Sequence, residues 1–364
     1  MGAGTAAPAR RLGPVSTVPR FVSGHRARAS RGAPPPGLPV SRAGNAVLLI
    51  NPHSGDGKAE RVGLVRECRV RGIEPVVLRL GEDVVALAEA AVARGADVIG
   101  MAGGDGSLAL VAGVAARHGV PMVVVPAGTR NHLAMDLGLD RGDVVGALDA
   151  CGTAVERAVD LGDVNGRPFV NNVSLGLYAE IIRSPAYRDA KVDTTLSALP
   201  GLVGPGSSPF DLRFKDSAGE RHTSAHVVQV SNNPYGRTLR TLISRPRLDS
   251  GRLGVIALEL PEGSADRALL AAIAAGRPER LPGFVAWEAP TFGVDSGDLV
   301  DAGIDGEAVR MTPPLRFTIQ AGALRVRLPE HAVGLSPAAR ELAARARPRG
   351  GSDPHGGRPV GREP

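Results

Sequence analysis

The chain predicts an α/β architecture, with a doubly wound parallel sheet at the amino end and a second, mainly antiparallel β-sandwich domain after it. Three observations carry this. Between residues 46 and 128 short apolar runs alternate with segments of helical period, the pattern of a parallel sheet wrapped by helices. Beyond about Asp160 the texture changes to short runs of alternating polarity punctuated by Pro and Gly, as antiparallel strands require. At 364 residues, 43% of them apolar, the chain exceeds one average core and fits two.

Order is expected to begin near Ala46, where AVLLI reads as a buried strand broken by Asn51-Pro52 and two glycines. A helix should follow to about Gly72. Then come PVVLRL as strand, VVALAEAAVARG as helix, DVIGMAG as strand, SLALVAGVAARHG as helix and PMVVVPAG as strand. In the second half FDLRFKD, HVVQVSNN, LGVIALEL, LRFTIQAG and LRVRLP read as strands, while ADRALLAAIAAG and the segment 178–188 read as helices. Residues 197–209, rich in Pro, Gly and Ser, read as a loop. The expected divisions are a disordered basic leader at 1–44, an α/β nucleotide-binding domain at 45–160 and a β-rich domain at 161–335. The last strands of that second domain are allowed to return to the first, and a disordered basic tail closes the chain at 336–364.

The net charge of +6 sits at the ends. Residues 1–44 hold seven Arg and no acid, and residues 336–364 hold six Arg against three acids. The segment between is net negative, so the folded part gives no argument for nucleic-acid binding. The basic ends suit solvated tails or attraction to an anionic lipid surface. Two cysteines, Cys68 and Cys151, are too few for a disulfide framework and lack metal-ligand spacing. No apolar run of eighteen residues offers a transmembrane span, and the amino end lacks a secretory h-region. The expectation is a cytoplasmic protein that reaches a membrane from its inner face.

Three turns carry the chemical signal, each at the end of a predicted parallel strand. They are Asn51-Pro52-His53-Ser54-Gly55, Gly103-Gly104-Asp105-Gly106-Ser107 and Pro126-Ala127-Gly128-Thr129-Arg130-Asn131. Open α/β sheets bind ligands at that edge. Glycines admit backbone N–H groups close to phosphate, and a following helix start favours negative charge. One such turn can be a tight connection with a capping Asp or Ser; three on one edge suit a triphosphate, whose many oxygens need converging donors.

These segments, NPHSG, GGDGS and PAGTRNHLAMDLGL, resemble the signature loops of the diacylglycerol kinase catalytic family, shared by bacterial lipid kinases, sphingosine kinases and ceramide kinases. The resemblance spans residues 45–330. It implies ATP between the two domains, magnesium delivered with it, a lipid substrate met at a membrane surface, and a place in phospholipid biosynthesis. Nucleotide binding is then expected from Asn51, Ser54, Gly55, Gly103, Gly104, Asp105, Gly106, Ser107, Gly128, Thr129 and Asn131. Ile304-Asp305-Gly306-Glu307 resembles the family's late D-G-E motif, which implies Asp305 as general base toward the lipid hydroxyl, with Glu307 expected to support the nucleotide or its metal. Asp-Gly between strands is equally a hairpin signal. Asn171 and Asn172 in FVNNVSLGLYAE either orient the cleft or satisfy buried backbone groups.

Two departures stand out. His132 and Met135 replace the acid and the Arg found in many members, and Ser250 and Gly254 stand where acids help hold a structural magnesium. His132 reads as a helix-start residue or, when protonated, a phosphate contact. That second metal is expected to be weak or absent, with Asp249 alone there, and no metal ligands are assigned. Arg237, Arg240 and the Arg residues of RPRL read as solvated surface or a headgroup contact. Diacylglycerol is the default acceptor. An NAD-kinase-like enzyme and a catalytically silent lipid-binding homologue remain open, as does a homodimer.

Overall fold

The computed structural model describes residues 37–177, 179, 208–236, 244–259, 283–332 and 334–346. In the first half β1 (Leu38–Val40), β2 (Ala46–Ile50), α1 (Lys58–Arg61), α2 (Leu64–Val70), β3 (Glu74–Val77), α3 (Val84–Ala93), β4 (Val98–Gly103), α4 (Asp105–His118), β5 (Met122–Pro126) and α5 (His132–Asp136) follow in order. β2 pairs in parallel with β3 and β4, and β4 with β5. The pleat sends Val47 and Leu49 into a core with α3 and α4, and Ala46, Leu48 and Ile50 into another with α1 and α2. Helices therefore cover both faces of the sheet, as the alternation predicts. The single helix expected up to Gly72 is two, because Gly63 takes φ 61° between them, a left-handed conformation that only glycine adopts freely.

The second half comprises β6 (Ala154–Val164), β7 (Arg167–Phe169), β8 (Asn172–Gly176), β9 (Phe214–Lys215), β10 (Arg221–His222), β11 (Val227–Asn232), β12 (Leu253–Leu258), β13 (Phe284–Ala289), β14 (Thr291–Val294), β15 (Val300–Ile304), β16 (Glu307–Met311), β17 (Leu315–Pro329) and α6 (Pro337–Ala346). Six of these strands form an antiparallel sheet in the order β13-β12-β11-β8-β15-β16. Val173, Leu175, Val230 and Val255 on that sheet pack with Val164, Phe292, Leu315 and Phe317 from β6, β14 and β17. The sandwich thus borrows its second layer from the first sheet, whose order is β1-β6-β17-β5-β4-β2-β3.

Several expected boundaries move. LRFTIQAG and LRVRLP are one strand, β17, which pairs antiparallel with β6 and parallel with β5. The division expected at residue 160 falls inside β6, because that strand belongs to both layers. Order also enters the expected leader: Leu38–Val40 pairs with Glu156–Ala154 and extends the sheet by one strand. In the expected tail, Ser336 accepts from Ala339 N at 3.0 Å and caps α6, which buries Ala338 and Ala339. FDLRFKD keeps only Phe214–Lys215 as strand. The helices expected at 265–276 and near 178–188, most of the loop at 197–209, and Arg237 and Arg240 lie outside the described residues. Cys68 and Cys151 are buried free thiols.

Candidate active site

The three polar turns leave the C-terminal ends of β2, β4 and β5, which are neighbours in the sheet. Their glycines set how closely they pack. A Cβ on Gly55 would lie 2.4 Å from Ala127 O, and one on Gly128 would lie 2.4 Å from Gly104 Cα. Both positions must therefore be glycine, and the first and second turns each press on the third. Lys58 completes this joint by donating to Pro126 O at 3.0 Å, with burial lowering its pKa.

The expected ligands divide into builders and free donors. Asn131, buried and at φ 53°, accepts from Gly128 N at 2.9 Å and donates to Gly128 O at 2.7 Å. Its side-chain amide therefore shapes its own loop. Asp105 accepts from His132 N at 3.0 Å and Leu133 N at 3.2 Å. It caps α5 across the gap between two turns, so its first duty is to fix the third loop. His132 is the first residue of α5, as the helix-start reading expects, and burial lowers its pKa, which disfavours the cation.

Available groups remain. Asn51 Oδ1 accepts from His53 N, while Asn51 Nδ2 and the hydroxyls of Ser54, Ser107 and the exposed Thr129 have no partner among the described residues. Gly104 precedes the fourteen-residue α4 with no side-chain cap, so the first N–H groups of that helix are unclaimed by side chains. Uncapped donors, a helix dipole and unpaired hydroxyls make a set suited to a polyanion.

The late turn arrives from the other sheet. Asp305 at φ 48° and Gly306 at φ 89° form the two-residue link between β15 and β16, so the hairpin reading is right and coexists with a second role. Asp305 Oδ2 accepts from Val170 N at 2.8 Å, and Oδ1 accepts from Asn171 N at 2.8 Å and Asn172 N at 3.1 Å. A carboxylate has about four acceptor positions, which leaves one open on Oδ2. Burial, and then the charge of Asp105 against those three N–H groups, pushes its pKa up to about 7. Glu307 lies against α4: a Cβ on Gly106 would come within 2.2 Å of its Oε1. Arg167 pairs with it at 3.3 Å. The late turn therefore meets the second loop at the start of that helix.

A buried polar network holds this meeting in place. Arg245, fully buried, pairs with Asp136 Oδ2 at 2.6 Å. It also donates to Val170 O at 2.5 Å, Asn232 O at 2.8 Å and Asn171 Oδ1 at 2.7 Å. Read from RPRL as solvated surface or a headgroup contact, it is neither; four of its five donors are spent on backbone and buried acceptors. Asn171 thus serves a buried partner, and Asn172 donates to Tyr235 Oη at 2.9 Å. At the altered acidic run, Asp249 is paired with Arg247 at 2.8 Å, and Ser250 accepts from Asn233 Nδ2 at 2.8 Å.

Comparison with known proteins places this arrangement in context. Residues 45–164 match the diacylglycerol kinase catalytic domain. A protein named "Probable lipid kinase YegS-like" from Pseudomonas aeruginosa is 28% identical over 291 residues, covering 78% of this chain and 94% of its own. A diacylglycerol kinase of Mycobacterium tuberculosis is 33% identical over 125 residues, 33% of this chain and 40% of its own. A crystal structure of a diacylglycerol kinase from Bacillus anthracis superposes with a TM-score of 0.57 at 15% identity over 80% of this chain and 100% of its own, which shows a common fold.

Proposed function

We propose that this chain, whose residues 45–164 match the diacylglycerol kinase catalytic domain, is an ATP-dependent lipid kinase that phosphorylates the free hydroxyl of diacylglycerol to give phosphatidic acid and ADP. One observation carries the reading. The Asp305-Gly306-Glu307 turn, some two hundred residues downstream of the Gly103–Ser107 loop, comes to rest on the α4 N-terminus.

The residues divide the work. The α4 N-terminus with Ser107, and the hydroxyls of Ser54 and Thr129, receive the phosphates of ATP, while Asn51 Nδ2 supplies an amide donor beside them. Asp305, with an open acceptor position on Oδ2, takes the proton of the lipid hydroxyl as its oxygen attacks the γ-phosphorus and the bond from that phosphorus to the β–γ bridging oxygen breaks, releasing ADP. A pKa near 7 makes it a stronger base than an ordinary carboxylate while still ionised in half the molecules at neutral pH. Glu307 fits a magnesium ion carried in with ATP, which would supply charge neutralisation on the phosphates. Val170, Asn171 and Asn172 hold the base in place by their N–H groups. The lipid is met at a membrane surface, and no helix among the described residues is long and apolar enough to cross one.

Transfer of radiolabelled phosphate from ATP into extracted bacterial lipids tests this. Label in organic-phase phosphatidic acid is the expected outcome. Label in NADP, or none above background, overturns it.

A further inference from the structure

A cavity of about 350 Å³ lies away from the catalytic turns, enclosed by β1, β6, the segment 246–249, Arg325 and α6. Its volume falls within the roughly 300–1,000 Å³ of small-molecule sites. Leu38, Leu137, Val159, Leu248, Leu335 and Ala339 give it an apolar wall. The charged lining is paired with one exception. Arg325 binds Glu156 at 3.4 Å, Arg247 binds Asp249 at 2.8 Å, and Asp136 is neutralised by Arg245. Arg157 has no hydrogen bond or ion pair among the described residues, and its Nε is buried without a partner. Its stem packs on the backbone of Gly37, where a Cβ would lie 2.9 Å from Arg157 Cγ.

A buried donor left unmade is costly, and a guanidinium beside an apolar wall is costlier. Burial already lowers the Arg157 pKa, with Asp249 opposing. Arginine presents a fork that matches phosphate or carboxylate oxygens. We propose that this cavity is an accessory site for a single-chain anionic amphiphile, its head bound by Arg157 and its tail along Leu38, Leu248, Leu335 and Ala339. The site shares no residue with the three turns at 51–55, 103–107 and 126–131 or with the Asp305 turn, so it does not depend on the kinase reading.

Titration calorimetry of the full chain with octyl phosphate, inorganic phosphate and octanol provides the test. Octyl phosphate should bind once per chain, roughly tenfold or more tighter than either half-molecule. Arg157→Gln should weaken it by a similar factor, with unchanged phosphate transfer and an unchanged melting curve. Ala339→Trp should block it by filling the tail wall. The Asp305→Asn chain should bind octyl phosphate as the parent does, which separates this cavity from the catalytic cleft. Equal binding of inorganic phosphate or octanol, no saturable binding, or full binding by a folded Arg157→Gln chain overturns the proposal.

Discussion

Asp105 and Asp305 sit in turns that read alike, each an aspartate beside glycine at a strand end, yet the fold uses them differently. Asp105 accepts two N–H groups from α5 and ties one loop of the parallel sheet to another. Asp305 accepts three from residues 170–172 and keeps one acceptor position open, with its pKa raised to about 7. The first is a fastener, and the second, with its open acceptor, fits the base of the proposed reaction. Residue type and turn chemistry are shared; the number of bound donors and the burial decide the role.

Substitutions should pull the two roles apart. The largest effect is expected for Asp305→Asn, where phosphate transfer should fall by about 10²–10⁴ while nucleotide affinity, read by fluorescence titration, stays within about twofold. A near-normal rate would make Asp305 a fastener too. Next in size is Arg245→Leu, which strands Asp136 and loosens residues 170–171 behind Asp305. Urea denaturation should show a loss of about 3–5 kcal/mol, and a loss below ~1 kcal/mol would detach that pair from the base's support.

The acid limb of kcat/KM sharpens the contrast further. Because Asp305 must be ionised to accept a proton, activity should fall about tenfold per pH unit below its value near 7. Stability moves the opposite way. A carboxyl whose folded pKa is raised contributes fully below about 4, and that contribution is lost as pH rises through about 7. A limb centred near 4 would mean that an ordinary carboxylate does the work. The smallest effect is that of Asp105→Ala, which uncaps α5 at a cost of roughly 1 kcal/mol and should appear in the KM for ATP before it appears in kcat.

Much of this was legible in the residues. Alternating apolar runs gave the parallel sheet, because a strand buried on both faces leaves a continuous apolar signature. The glycine turns marked the three loops that meet at one sheet edge and Asp305-Gly306 gave the hairpin, because positive φ and tight approach leave few residue choices. Arg245 was misjudged because a charged side chain signals burial only through partners, and Asp136 lies more than a hundred residues away. The part played by Asn131 was missed for a related reason: an amide facing a ligand and one folded onto its own loop have the same spelling. Lys58 was overlooked although it closes the NPHSGDGK segment, and a cation so near two phosphate-type turns was the available signal. The return of the last strand to the first sheet was allowed for, but its continuity as β17 escaped, because a bulge between Gln320 and Leu324, with Gly322 at φ 62°, makes one strand read as two.

The parallel pairing of β5 with β17 also constrains how the protein is made. Met122 and Val123 find Val326 and Arg327 only after roughly 200 more residues have been synthesised. Until then the β5 edge that carries the third loop stands bare, a template for pairing with the wrong strand or another nascent chain. The amino half can gather its helices early, but its sheet closes last, so chaperone demand should track delays in translating the final fifty residues before the carboxyl helix.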